Sequence, residues 1–318
     1  MDLSDIRLHD PEVFADRLPY EWFDHLRAYA PVHRFDDPIT GVPFWAVTRH
    51  ADVVHVSRTP EVFSSFERTS LFREPVLEDE LEQQQLMLVN KDAPEHTRLR
   101  SIVNKGFTPR MIGRLEERIR EYATEIVDRA LTKGTGDFVE MVSAELPLEV
   151  IAEVMGAPIE DRGRIFDLSN RLIGFDDPEF QTTPEDAQVA AAEMYMFSED
   201  LRQQREADPR DDVVTRLAQA EVEGHSLDPL EFNLFFLLLA VAGNETTRNA
   251  ISHGMQAFFD HPDQWARFLE DPEGLSTTAA DEVIRWATPV IQFRRQTTED
   301  TTVGGVAIPA DEKVVVYY

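Results

Sequence analysis

The stretch "LFFLLLAVAGNETTRN", residues 234–249, decides how this chain is read. Nine apolar residues, Leu234 to Ala242, run directly into Gly243, Asn244, Glu245, Thr246 and Thr247. A segment patterned for burial thus acquires a carboxylate and two hydroxyls within about one helical turn. Its ends are legible. Asp228 is placed as N-cap, Pro229 takes the first helical position, Glu231 completes an Asp-x-x-Glu capping box, and His261-Pro262 stops the run. At 1.5 Å per residue, residues 228–260 make a helix roughly 50 Å long, enough to cross a domain. Ala242 and Thr246 fall four apart on one face, as do Gly243 and Thr247. A threonine hydroxyl can bond the carbonyl four residues back, Gly243 admits a close neighbour, and burial would push Glu245 toward a neutral, proton-donating form. The pattern predicts a notch beside a proton source. The competing reading is a helix that simply emerges into water at "NETTRN".

The rest of the chain limits what such a notch could serve. With 318 residues and 42% hydrophobic content, a substantial core and a single domain are expected. Sixty acidic residues against 31 basic ones give a formal net charge of -29, which repels nucleic acid and anionic membrane surfaces. The N-terminus has no basic and apolar leader pattern, and no apolar run approaches the roughly 20 residues of a spanning helix, so a cytoplasmic location is expected. There is no cysteine, and the nine histidines show no ligand spacing, which disfavours zinc. No phosphate-cradling glycine loop and no nucleophile elbow is present. Helical periodicity dominates, clearest over 109–131 and 185–205. Residues 43–56, rich in aromatic and β-branched side chains, read as strand. Residues 174–186, with two prolines and a run of acids, read as an inter-helix loop.

Three further constellations stand out. "KDAPEHTRLRSIVNKGF" reads as a helix start with Asp92 as N-cap and Glu95 at the capping-box position. There His96 and Arg100 fall four apart, a cation pair that calls for an anion unless Arg100 meets a surface acid and His96 is a neutral structural residue. "AADEVIRWATP" carries Glu282 and Arg285 at i, i+3 on a helix ended by Pro289. "VIQFRRQTT" reads as a strand with Ile291, Phe293 and Arg295 on one face and Arg294 on the other.

In this order and at these separations, "HTRLR", "AGNETT", "EVIR" and "FRR" followed by "GGVAIP" resemble the cytochrome P450 haem-thiolate monooxygenases over essentially the whole chain. The resemblance implies a mainly α fold with a long central helix and small sheets over 43–56 and 290–318. It implies a haem b cofactor whose propionates are held by His96, Arg100 and Arg295. Ala242 and Gly243 would flank the oxygen-binding face, and Thr246 with Glu245 would deliver protons. Glu282 and Arg285 would form a buried structural pair. "DAPEHTRLR", "GFTPRMIGRL", "AVAGNETTRNAISHGM", "DHPDQW" and "DEVIRWATPV" are more narrowly similar to actinobacterial members that hydroxylate the terminal carbon of a cholesterol or cholestenone side chain. Met87, Leu88, Val89, Val290, Ile291, Phe293 and the 174–186 loop are then expected at the substrate. Electrons are expected from a ferredoxin and its reductase. Residues 91–120 carry eight Lys/Arg and four Asp/Glu, a local balance of 8 − 4 = +4, which suits an acidic ferredoxin. Two departures are plain. The family's cysteine ligand is absent, and the sequence ends in the strand-like "KVVVYY" before the loop that carries it, so a C-terminally shortened, inactive form is expected. Asp311 stands where the family commonly has glycine. The alternative function is a haem-free remnant that binds apolar ligands or regulates.

Overall fold

The computed structural model describes residues 1–67, 78–173 and 183–318, and it is 64% helical with small sheets. In chain order the helices are α1 (Pro11–Asp16), α2 (Tyr20–Tyr29), α3 (His50–Arg58), α4 (Glu78–Leu86), α5 (Glu95–Gly106), α6 (Pro109–Lys133), α7 (Glu145–Val154), α8 (Arg162–Ile173), α9 (Pro184–Ala207), α10 (Val213–Ala218), α11 (Pro229–Asp260), α12 (Pro262–Glu270) and α13 (Pro272–Ala287). The strands are β1 (Val32–Phe35), β2 (Phe44–Val47), β3 (Phe63–Ser64), β4 (Glu221–Val222), β5 (His225–Ser226), β6 (Gln292–Thr297), β7 (Thr301–Val303), β8 (Val306–Ile308) and β9 (Lys313–Tyr317). Most of the predicted 174–186 loop lies outside the described residues. From Thr183 onward the chain is helical: its hydroxyl caps α9 by accepting from the Asp186 N–H. The contacts divide the chain into two compact units, Met1–Arg98 with Val290–Tyr318, and Leu99–Pro289.

The first unit is organised by a five-stranded sheet in the order β1-β2-β9-β6-β3. β9 lies between β2, to which it is parallel, and β6, to which it is antiparallel. All five of its residues are buried, as a continuous β-branched run predicts for a central strand. Val315 and Tyr317 pack with Phe23, Leu26 and Phe44 on one side, while Val314 and Val316 pack with Val47, Val53 and Phe63 on the other. The strand expected over 43–56 is confined to Phe44–Val47, and His50–Arg58 is helical. The reason is periodicity: Val53 and Val56, three apart, are the buried positions there, a helical spacing that the β-branched composition obscured. Asp311 has φ +61°, the left-handed conformation that glycine adopts freely and aspartate tolerates.

The second unit is built around α11, whose predicted ends hold. The Asp228 side chain accepts from the Glu231 N–H, the Glu231 carboxylate accepts from the Asp228 N–H, and His261 ends the helix. Helices α7, α8, α9 and α13 pack against it. Burial is confined to one side rather than complete all round: Phe232, Asn233, Phe236, Ala240, Asn244 and Gly254 are buried, whereas Ala242 is exposed.

A polar clamp ties α9 to α11. The Ser198 hydroxyl donates to Asn233 Oδ1 at 2.6 Å, and Asn233 Nδ2 donates to Glu199 at 3.1 Å. Hydrogen bonds from Arg202, Gln203 and Asn233 hold the Glu199 carboxyl down at about 2, against the raising effect of partial burial. A depressed acid contributes stability above its unfolded pKa and loses it as pH falls toward the folded value. Glu199→Gln should therefore flatten the loss of stability between pH 4.5, the ordinary value, and about 2, as urea unfolding at a series of pH values would show. A variant with the wild-type acid slope would assign that slope to other carboxylates.

Candidate functional site

The polar turn on α11 does not behave as one surface. Thr246 is half-buried and its hydroxyl donates to the Ala242 carbonyl at 2.8 Å, the predicted i to i−4 back-bond. The close neighbour that Gly243 admits is a side chain of the same unit. A Cβ built on Gly243 would lie 2.1 Å from Cδ1 and 2.8 Å from Cγ1 of Ile151 on α7. The space over Gly243 is thus a helix-packing contact, on a different face from Ala242 and Thr246. Glu245 also departs from its expectation. Its side chain is 31% exposed and ion-paired with Arg248, so the burial expected of it is only partial. Arg248 was overlooked, although its i, i+3 spacing from Glu245 was legible.

Elsewhere in the second unit, Glu282 and Arg285 pair as spaced. Arg285 donates from Nε and Nη2 to the two carboxylate oxygens at 2.6 and 2.7 Å, which holds the Glu282 carboxyl below its usual range. The pair is not buried, however: the two side chains are 60% and 65% exposed, and the neighbouring Ile284 and Trp286 of α13 are open as well. Spacing predicts pairing but not burial, because burial depends on what packs across the face. Arg100, on α5, is exposed and has no carboxylate within ion-pair distance among the described residues.

In the first unit, Phe293 and Arg295 share the face of β6 that meets Val316 and Val314 of β9, and Arg294 is buried on the other. Ile291 precedes the strand and packs instead with the cluster on the opposite side of the sheet. The Arg295 guanidinium lies over the Phe293 ring, 5.7 Å from its centroid, and donates to the Arg294 carbonyl at 2.7 Å. Burial pulls its pKa below the ordinary range, opposed by the nearby Tyr318 and Asp92. Asp92 does not cap α5. Its carboxylate accepts from the Ser64 hydroxyl and the Ser65 N–H, fastening β3, while Glu95 pairs with Lys91 at 3.2 Å. His96 is half-buried near the start of α5, and Met87, Leu88, Val89 and Val290 are half-buried in loop or short helical backbone.

No family model matches the chain. Individual proteins do. It is 46% identical to a steroid C26-monooxygenase of Rhodococcus jostii over 97% of this chain and 66% of that protein. It is 43% identical to a steroid C26-monooxygenase of Mycobacterium tuberculosis over 97% of this chain and 72% of that protein. A Mycobacterium marinum cytochrome P450, solved in complex with pseudoionone, superimposes with a TM-score of 0.87 and 37% identity, covering 98% of this chain and 80% of that one. The chain belongs to the cytochrome P450 family. It spans about two thirds to three quarters of the length of these curated relatives.

Cytochrome P450s carry haem, and the residues present fit one part of that group and lack another. In a chain with 60 acids, Arg100 has no carboxylate within ion-pair distance among the described residues, and Arg295, although Asp92 lies near, is partly desolvated and in no ion pair there. Cations without an ion-paired acid are suited to an external carboxylate. None of the 318 residues can supply the thiolate that ligates iron in this family. The second unit holds a small apolar cavity lined among others by Met155, Leu217, Phe232 and Phe236. It is far smaller than the roughly 300–1,000 Å³ of typical ligand sites, and it includes none of the expected substrate residues. No helix among the described residues is long and apolar enough to cross a membrane.

Proposed function

We propose that this cytochrome P450 chain serves a haem-dependent monooxygenase that hydroxylates the terminal carbon of a sterol side chain, located in the cytoplasm and supplied with electrons by a ferredoxin and its reductase. The observation that carries the substrate class is 43–46% identity, over 97% of the chain, to relatives named as steroid C26-monooxygenases. His96, Arg100 and Arg295 are the cations suited to the haem propionates, and Met87, Leu88, Val89, Val290, Ile291 and Phe293 are the apolar residues for the sterol. Haem, when bound, supplies the oxygen chemistry.

The chain's own contribution is on α11. The Thr246 O–H is held by the Ala242 carbonyl at 2.8 Å, which leaves the hydroxyl lone pairs free to accept a proton-bearing partner. Glu245, one residue away and paired with Arg248, lies on the partly exposed side of the same turn. Thr246 is thus the ordered end of the relay and Glu245 its exposed end. In the thiolate-ligated holoprotein, cholestenone should shift the haem to high spin and straight-chain fatty acids should not; the reverse preference would sink the sterol assignment. Thr246→Ala should leave electron consumption intact and lower the hydroxylated product formed per electron by about 10-fold or more, the balance appearing as hydrogen peroxide. Unchanged coupling would leave Thr246 a helix residue only.

Of the basic residues over 91–120, Lys91, Arg114, Arg118 and Arg120 are already paired with carboxylates. Lys105 is exposed on α5 with no ionic partner among the described residues, and the Arg110 side chain lies outside them. Lys105→Glu should slow reduction by ferredoxin at low salt and reduce its salt dependence. An unaltered rate would place docking elsewhere.

A further inference from the structure

Asn244 is 2% exposed, and neither its Nδ2 nor its Oδ1 has a hydrogen-bond partner among the described residues. Its counterpart three turns earlier on α11 shows what satisfaction looks like. Asn233 is 1% exposed, yet it accepts from Ser198 and donates to Glu199. A carboxamide buried with both ends unpaired is strongly unfavourable, and buried amides in native proteins are bonded to protein or to ordered water.

The fold indicates where its partner sits. Phe236, Ala240 and Asn244 form one buried stripe at four-residue spacing, and Phe236 at its start packs on Phe197 of α9. α9 runs antiparallel to α8, as the Arg164–Glu193 and Arg171–Asp186 pairs show. Asn233 and Phe236 meet α9 at Phe197–Glu199, and α8, which lies along α9, itself packs on α11. α8 carries a second buried amide. Asn170 is 7% exposed, and its Oδ1 is also without a partner among the described residues.

We propose that the seam between α8 and α11 is a binding site for ordered internal water, shared by the carboxamide of Asn244 and Oδ1 of Asn170. Water is the small species that can both accept from Asn244 Nδ2 and donate to the two amide oxygens, reaching the roughly three hydrogen bonds usual for a buried molecule. Its position would fix α11 at the turn where Gly243 meets α7 and Thr246 bonds Ala242.

A high-resolution crystal structure of the unmodified chain should show a water oxygen within about 2.7–3.2 Å of both side chains; a dry, apolar seam would overturn the proposal. Asn244→Leu and Asn170→Leu should each lower the melting temperature by roughly 2–4 °C, and the double variant by clearly less than the sum, because the second substitution removes a partner already lost. A rise in melting temperature for Asn244→Leu would show that the amide was a true orphan. Additive losses would show that the two residues share nothing. If either variant fails to fold, the structure of the unmodified chain still decides.

Discussion

Gly243→Val is expected to destabilise the chain by about 2–3 kcal/mol in urea unfolding, the scale of overpacking in a well-filled core. Intrinsic preference runs the other way, since valine is better than glycine in a helix interior by about half a kcal/mol or less. Sterics should win, because even a bare Cβ meets Ile151 Cδ1 at 2.1 Å and Cγ1 at 2.8 Å, and Ile151 is itself only 7% exposed. The pair supplies its own control. Ile151→Val removes the Cδ1 atom that is struck first and by itself should cost about 0.5–1.5 kcal/mol. Combined with Gly243→Ala, it should recover part of the loss, so that the two changes sum to less than their separate effects. Strict additivity, or a Gly243→Val variant as stable as the parent, would remove Ile151 as the reason for glycine at this position.

This contact also marks the limit of what the sequence could disclose. The glycine announced a close approach but not by what, because Ile151 lies 92 residues earlier, in a segment whose pattern says only that it is an apolar helix. Local signals were read well. The capping box of Asp228 and Glu231, the Thr246 back-bond and the Glu282–Arg285 fork all follow from spacings of three or four residues, which backbone geometry fixes without tertiary context. Burial was read poorly. Glu245 and Glu282 were both expected inside; Glu245 is only half-buried and Glu282 is exposed, because exposure is set by elements that arrive from elsewhere in the chain. Asp92 failed for a related reason: a carboxylate placed to cap α5 found Ser64 and Ser65 instead, a competition invisible at short range. The fold class survived these misses, since it rests on long periodic segments, and family membership rests on motif order rather than on the burial of any one residue.

Residues 1–318, supplied with haem, reduced and exposed to carbon monoxide, are expected to show no Soret band of the strongly red-shifted thiolate type, and no sterol hydroxylation above background. Oxygen cleavage in haem-thiolate enzymes relies on electron donation from a cysteine sulfur, and this sequence has none; its eight methionines offer only thioethers, which are weak neutral donors. Histidine is the other common haem ligand, but it gives a band without the thiolate shift, so the two cases separate spectroscopically, and no histidine follows His261 in the sequence. Retention of haem with an unshifted carbon monoxide band would fit cations such as Arg100 and Arg295 holding carboxylates while iron takes a different ligand. Joining the chain to the cysteine-bearing segment of one of its steroid-oxidising relatives should restore both the shifted band and turnover. A thiolate-type spectrum from residues 1–318 alone would contradict the expectation outright, and an extended protein with the shifted band but no sterol turnover would leave the haem assignment standing while removing the sterol.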